Sequence, residues 1–300
     1  MTRALVLSGG GTVGIAWQTG LAAGLATKGV DLREADLVVG TSAGSAVGAR
    51  LALGRDMVEA TEEIRRQPIA RPSDPAASPD PGEAVGAEMA ERMAALVQVM
   101  SESAASSEPF ESRMAAIGAV ALAVDAVPEE AFVSFFADLA GEPFPDGFRC
   151  TAVDAHHGEF RVWEASSGVA LDRAVASSCA VPGIFAPITI DGRRYLDGGM
   201  RSVTNADLAV GHDTVLIVTL AGRIARGPEN ALTTRMREQE EHEHSVLRDG
   251  GAQVETIGPD DDAAAAMGVN LMDPQLVPAA AEAGFRQGQA TAASIAELWG

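Results

Sequence analysis

Asp36-Leu37-Val38-Val39-Gly40-Thr41-Ser42-Ala43-Gly44 is the stretch that decides the fold. A short apolar run leads into a serine flanked by glycines, and a small-residue segment, Ala43 to Leu53, follows. The pattern reads as strand, sharp turn, helix. Gly40 and Gly44 let the backbone turn without a Cβ clash, and the turn lifts the Ser42 hydroxyl out of the sheet. A hydroxyl placed there is positioned to attack a carbonyl. The helix starting beside it points free N–H groups and its positive dipole end at a developing oxyanion. Tight strand–helix junctions in general also collect small residues, so the turn is weighed with its companions.

The first companion opens the chain. Ala4-Leu5-Val6-Leu7 is a strand pattern, Ser8-Gly9-Gly10-Gly11-Thr12-Val13-Gly14 a glycine-rich turn, and Ile15 to Thr27 a helix. Consecutive glycines at a helix N-terminus leave bare N–H groups that bind anions, and in an acyl-transfer site they serve as an oxyanion hole. Two such turns at the carboxyl ends of neighbouring parallel strands lie at the edge where open α/β sheets collect ligands. The second companion is Tyr195-Leu196-Asp197-Gly198-Gly199. Asp191-Gly192 reads as a hairpin turn between Ile188–Ile190 and Arg193–Tyr195. Asp197 at the strand end is placed to take a serine proton as general base, whereas a lone Asp-Gly is more often a turn.

With these residues together, the sequence resembles the patatin-like phospholipases: GGGxxG near the N-terminus, then GTSAG, then a distant DGG. Ala176-Ser177-Ser178-Cys179-Ala180-Val181-Pro182 and Asn205 also resemble that family, and the segments run in its order from Gly9 to Asn205. The resemblance implies an acyl hydrolase with a Ser–Asp dyad and no histidine in the chemistry. Carried over by position, Ser42 is the nucleophile and Asp197 the base that activates it. The backbone of Gly10 and Gly11, with Thr12, supplies the oxyanion hole, and Gly9, Gly14, Gly40, Gly44, Gly198 and Gly199 are the motif glycines. No cofactor and no metal is implied. Many relatives carry Arg or Lys where this chain has Val13, which leaves preference for an anionic head group open.

Other readings compete. Gly9-x-Gly11-x-x-Gly14 also satisfies a dinucleotide fingerprint, but the second strand ends in Gly40-Thr41-Ser42 rather than in the acidic residue that holds a ribose. An ordinary α/β-hydrolase places its serine after several strands and needs a late histidine. His212 sits in a polar turn, and His242 and His244 in a charged helix. His156-His157-Gly158 reads as a hairpin turn. An acyl-chain or nucleotide-binding module without turnover remains the alternative, and a transferase is the nearer chemical variant.

The expected fold is three-layer α/β/α, with a mainly parallel central sheet and a helical insertion, in one domain over 1–300. The candidates at 10, 42 and 197 must converge. The hydrophobic fraction is 47%, ample for a core, and no apolar run reaches the roughly 20 residues that span a membrane. The chain enters a strand at once, without the charged region and apolar core of a signal peptide. Cys150 and Cys179 make no disulfide framework and read as reduced core residues. Cytoplasmic location is the default expectation. A net charge of −20 disfavours nucleic acid and electrostatic docking to anionic membranes. The expected partner is a lipid or other acyl ester, with any transient membrane-surface contact carried by apolar side chains.

Organisation changes after Gln67. Residues 68–147 read as a Pro/Ala/Ser/Asp connection, Pro68 to Pro81, and then helices over Glu83–Ser103, Glu108–Val124 and Glu129–Leu139. Met89, Met93, Leu96, Val97 and Met100 form one apolar face, expected in the core or as a lid over the serine. Thr214 to Leu220 reads as a central parallel strand, Asn230 to Arg248 as a solvated helix, Ala252 to Ile257 as a strand and Gln275 to Trp299 as a closing helix. Asp260-Asp261-Asp262 reads as a solvated loop rather than a metal site.

Overall fold

The structure is a computed structural model and describes residues 1–66, 98–224 and 230–299. β1 (Arg3–Leu7) leads into α1 (Gly11–Ala26), and β2 (Leu37–Gly40) into α2 (Ala43–Ala52) and α3 (Met57–Arg66). Residues 98–105 are helical, and α4 (Phe110–Ala123) follows. Next come β3 (Phe148–Asp154), β4 (Phe160–Trp163), α5 (Leu171–Ser178), β5 (Ile188–Ile190), β6 (Arg193–Asp197) and β7 (Thr214–Val218). The chain closes with α6 (Ala231–Asp249), β8 (Gln253–Ile257), α7 (Asp261–Ala266) and α8 (Val277–Trp299).

The strands form one sheet in the order β5-β6-β3-β2-β1-β7-β8, with β4 also paired to β3. β3, β2, β1, β7 and β8 are parallel; β4 and β6 pair antiparallel to β3, and β5 antiparallel to β6. β1, β2 and β7 are buried almost throughout, as strands covered on both faces must be. Alternate side chains sort into two cores: Leu5, Leu7 and Val38 pack with α1, α2 and α8, and Ala4, Val6, Val39 and Ile217 pack against Leu247 of α6. The three layers and the mainly parallel sheet are those read from the sequence.

α1 is buried from Val13 to Leu25 apart from the half-buried Ile15. It packs on α8 backbone to backbone. A Cβ on Gly20 would fall 2.0 Å from the Ala281 carbonyl oxygen, and one on Gly24 2.1 Å from that of Phe285. Reciprocally, a Cβ on Gly284 would meet the Trp17 oxygen at 2.2 Å, and one on Gly288 the Leu21 oxygen at 2.3 Å. Trp17 Nε1 donates to Gln287 Oε1 at 3.0 Å across the same seam.

Several boundaries differ from expectation. α1 begins at Gly11, four residues before Ile15, because the Gly14 N–H already reaches the Gly10 carbonyl at 2.9 Å. The Glu129–Leu139 helix breaks into Glu129–Val133 and a 3-10 turn, Ser134–Leu139, with Phe136 off helical geometry (φ −112°, ψ 23°). The Asp260–Asp262 loop is corrected to a helix start: the Asp260 side chain accepts the Ala263 N–H at 2.8 Å, and Asp261 and Asp262 face the positive dipole end. The expected helix over 83–97, with Met89, Met93, Leu96 and Val97, lies outside the described residues.

Because the α1–α8 seam has no room for a methyl group, Gly24→Ala and Gly288→Ala are each expected to cost about 1–3 kcal/mol by overpacking. Urea unfolding checks this: the midpoint should drop with the slope unchanged.

Candidate active site

The sheet register brings distant segments together. Cys150 of β3 pairs with Gly40 of β2 on one edge and with Trp163 of β4 on the other. Ala152 and Val153 pair with β4 and also with Asp197 and Leu196 of β6. A strand has two edges, so β6 occupies the edge that β2 has left. β2 ends at Gly40 and β6, running the opposite way, ends at Asp197. The turn after one strand and the carboxylate at the end of the other therefore meet.

Ser42 sits at φ 51°, ψ −121°, a strained conformation for a residue with a Cβ. Gly44 must lack a side chain, because a Cβ would lie 2.0 Å from the Leu7 carbonyl oxygen. A three-residue segment holds both Ser42 and Asp197. The Ser178 hydroxyl accepts the Ser42 N–H at 3.0 Å, the Cys179 thiol donates to the Ser42 carbonyl at 3.1 Å, and the Ala180 carbonyl accepts the Asp197 N–H at 3.0 Å. Ser45 Oγ donates to the same Ser42 carbonyl at 2.7 Å. Cys179 is buried and free, as is Cys150. Burial first, and the nearby Asp197 charge second, raise the Cys179 thiol pKa, keeping the thiol a donor.

Asp197 is 4% exposed and Ser42 8%. Burial pushes the Asp197 carboxyl up to about 7, against the opposing hydrogen bonds of the Ser42 side chain and the Gly199 amide. The Gly199 N–H reaches Oδ1 at 2.7 Å.

The glycine loop faces this pair. A Cβ on Gly9 would touch the Ser42 Cβ at 3.4 Å. Gly9 gives its N–H to Val203 and Val13 gives its own to Leu271, at 2.9 and 3.0 Å. Gly11, at φ +61°, is the first helical residue. Among the described residues, the Gly10 and Gly11 amides meet no acceptor, as the first turn of a helix predicts. Gly9, Gly10 and Gly11 line one cavity with Ser42, Asp197 and Gly199. Thr12 is exposed, its hydroxyl on the Leu271 carbonyl at 3.4 Å, and is not among the described lining. Gly40, Gly44 and Gly198 lie behind the surface as close-approach positions, whereas a Cβ on Gly14 would meet its nearest neighbour, Leu220, at an ordinary 3.6 Å. Val13 is buried in the core.

Sequence reasoning missed the network beneath the site. Asn205 Nδ2 lies 2.8 Å from the Ser202 carbonyl, 3.0 Å from Thr41 Oγ1 and 3.3 Å from Thr151 Oγ1, and its Oδ1 accepts from Arg201 at 2.8 Å. It thus joins the serine turn, β3 and the Asp-Gly-Gly turn. The fully buried Glu243 of α6 accepts from Thr204 Oγ1 (2.6 Å), the Ala206 N–H (2.9 Å) and Gln239 Nε2 (2.9 Å). No local pattern marks Glu243, which sits in a charged helix and differs from its neighbours only in facing inward. Asp154, not a metal cluster, organises the His156-His157 turn: Oδ1 accepts both N–H groups, at 2.8 and 2.9 Å.

The cavity measures about 850 Å³. Apolar side chains dominate it, among them Met100, Phe110, Met114, Ile117, Ile184 and Met236. Within the 68–147 stretch, residues between Met100 and Ile117 thus form part of the wall of the cavity that Ser42 also lines.

The fold and site define a mostly parallel α/β protein with a strained serine and a buried carboxylate at one sheet edge. The sequence model of the patatin-like phospholipase family matches residues 5–210, and the chain belongs to that family of lipid acyl hydrolases. Among solved structures it is similar to VipD from Legionella pneumophila, at 14% identity and TM-score 0.43, covering 98% of this chain and 67% of that one. It is also similar to the type III effector protein ExoU, at 18% identity and TM-score 0.43, covering 98% of this chain and 53% of that one. The chain therefore spans about half the length of the ExoU chain. No curated protein matches it. Among the described residues no helix is long and apolar enough to cross a membrane.

The raised Asp197 carboxyl has a stability consequence. Between its ordinary value of 3.8 and about 7, the folded state holds a proton that the unfolded state has released. Stability is then lost as pH rises through this window, by up to about 4 kcal/mol. Asp197→Asn removes this dependence. Its stability relative to wild type should grow as pH is raised from about 4 to 8, measured by urea unfolding at each pH.

Proposed function

We propose that the protein is a serine acyl hydrolase that cleaves carboxylic esters of lipids through a Ser42–Asp197 dyad and an acyl-serine intermediate. The observation that carries this reading is that Ser42 and the buried Asp197 carboxyl line one cavity with the glycine loop, and burial pushes that carboxyl up to about 7. A base poised near ambient pH is the kind that general base catalysis favours. Asp197 takes the Ser42 proton as Oγ bonds to the ester carbonyl carbon, and the carbonyl electron pair moves to oxygen. The free Gly10 and Gly11 amides, with Thr12 next in line, receive that oxyanion. Collapse expels the alkoxide, which takes the proton from Asp197. Asp197 then deprotonates a water that attacks the acyl-serine, and the acid leaves as Ser42 regains its proton. Methionine and phenylalanine walls suit an acyl chain. We further propose that residues 68–147 are an insertion within one domain that sets chain-length preference, and that any membrane contact is apolar, given the net charge of −20.

A non-catalytic acyl-chain carrier is the alternative, and a fluorophosphonate probe separates the two. The expected result is one adduct on Ser42 by mass spectrometry, together with hydrolysis of p-nitrophenyl esters of graded length. Ser42→Ala and Asp197→Asn should each lower kcat at least about 10³-fold while remaining folded. For wild type, kcat/KM should rise with pH and level off above about 7, because only the ionised base accepts a proton. Ester hydrolysis retained by either variant overturns the dyad, and an unlabelled Ser42 favours the carrier.

A further inference from the structure

The cavity over Ser42 holds two arginines that its apolar walls do not explain. α4 supplies Arg113, and α6 supplies Arg235. Among the described residues Arg113 takes only carbonyl acceptors: Nε donates to Glu108 at 3.1 Å and Nη1 to Ser103 at 3.2 Å, with the guanidinium 6.0 Å from the Phe110 ring centre. None of these partners carries a negative charge. Arg235 has no hydrogen bond or ion pair among the described residues, and its Nη1 is buried without an acceptor. The two charges act on each other. Burial first, and the Arg235 charge second, lower the Arg113 pKa.

Other charges in the cavity leave the pair unmatched. The third arginine, Arg201, is taken by Asp207 through two contacts, at 2.9 and 2.6 Å, and by Asn205. The carboxylates of the described lining besides Asp197 are Glu111 and Glu238. Both are exposed, and neither forms an ion pair with Arg113 or Arg235 among the described residues. A buried donor with no acceptor is costly, and so are two like charges in an apolar hollow. In a chain of net charge −20, carboxylates to offset them are abundant, yet none among the described residues pairs with either arginine. A bound anion would remove both costs at once.

We propose that Arg113 and Arg235 form an anion-binding subsite of this cavity and hold the charged group, a phosphate, of the ester that Ser42 cleaves. The planar guanidinium fork matches phosphate oxygens two at a time. The glycine loop carries Val13 and contributes no cation of its own, so recognition of charge falls to α4 and α6. The subsite rests on the acyl-hydrolase reading only for what the anion is attached to.

Two soluble esters that differ in charge test it: dihexanoyl phosphatidylglycerol and dihexanoylglycerol. In Arg235→Gln the ratio of kcat/KM for the anionic over the neutral ester should fall roughly tenfold, chiefly through KM, and Arg235→Lys should recover part of it. Arg113→Gln should lower the ratio similarly. Since Arg235 makes no bond within the described protein, its replacement leaves no protein group unpaired. A loss equal on both esters, or an unmoved ratio, overturns the proposal. Calorimetric titration with inorganic phosphate reads the site without turnover. Binding to wild type and to Ser42→Ala, but not to Arg235→Gln, supports the subsite even where no ester is cleaved, so failure of the dyad and failure of the subsite are distinct results. Phosphate binding with an unmoved ester ratio makes the occupant a free anion and overturns the head-group assignment.

Discussion

β2 stops at Gly40, and the site exists because it does. Had β2 continued along β3, its own residues would fill the edge that β6 takes up from the opposite direction. The exchange of strands on one edge sets the end of a parallel strand against the end of an antiparallel one. Strand ends in α/β sheets are where side chains leave the ladder and face a crevice. Here the two ends deliver Ser42 and Asp197, separated by more than half the chain, to one point. Residues 178–180 then fix the distance between them by binding the backbone of each. A change in any of these three links moves hydroxyl and carboxylate relative to one another.

The electrostatic setting follows from the same burial. Among the described residues no cation contributes to the environment of Asp197; its stabilisation comes from the Ser42 side chain and the Gly199 amide. A neighbouring arginine would make the carboxylate more stable and a weaker base. Arg201, in the same cavity, is instead committed to Asp207 and Asn205. The carboxyl is thus kept destabilised when charged, a cost that proteins accept at functional sites and offset elsewhere. The Cys179 thiol belongs to this balance, since the factors that raise its pKa keep it protonated and donating to the Ser42 carbonyl.

Legibility in the sequence followed the range of the interactions. Gly40 to Gly44 and the glycine loop were readable because their constraints are local: a turn, a helix start, a strand before each. The continuous apolar run at Thr214 gave a central strand because burial on both faces leaves a composition signal. Asp197 became a candidate only through its order relative to the other motifs. Ser178, Cys179 and Glu243 act across gaps that no periodicity encodes, and their roles surfaced only in the structure. Three consecutive acids suggest a loop at Asp260, but a side-chain cap makes a helix start there, a competition that composition does not reveal. The paired glycines of α1 and α8 were present as Gly20-x-x-x-Gly24 and Gly284-x-x-x-Gly288, a spacing that puts each pair on one helix face.

Backbone donors set a stricter demand on the scaffold than side-chain donors do. A side chain can change rotamer to follow a substrate, whereas the Gly10 and Gly11 amides move only if α1 moves. Seating α1 on α8 through bare backbone leaves little freedom along that seam, because shallow contacts between peptide groups tolerate no slack of even a methyl group. The opposite side of the cavity is built otherwise. α4 and α6 contribute long, rotatable side chains, methionines and arginines, and α6 is moored to the loop after Asp197 by the buried Glu243. Rigid backbone thus lies beside Ser42, and adaptable side chains line the remainder of the cavity. That division lets the two helices change what is recognised without disturbing the distance between residues 42 and 197.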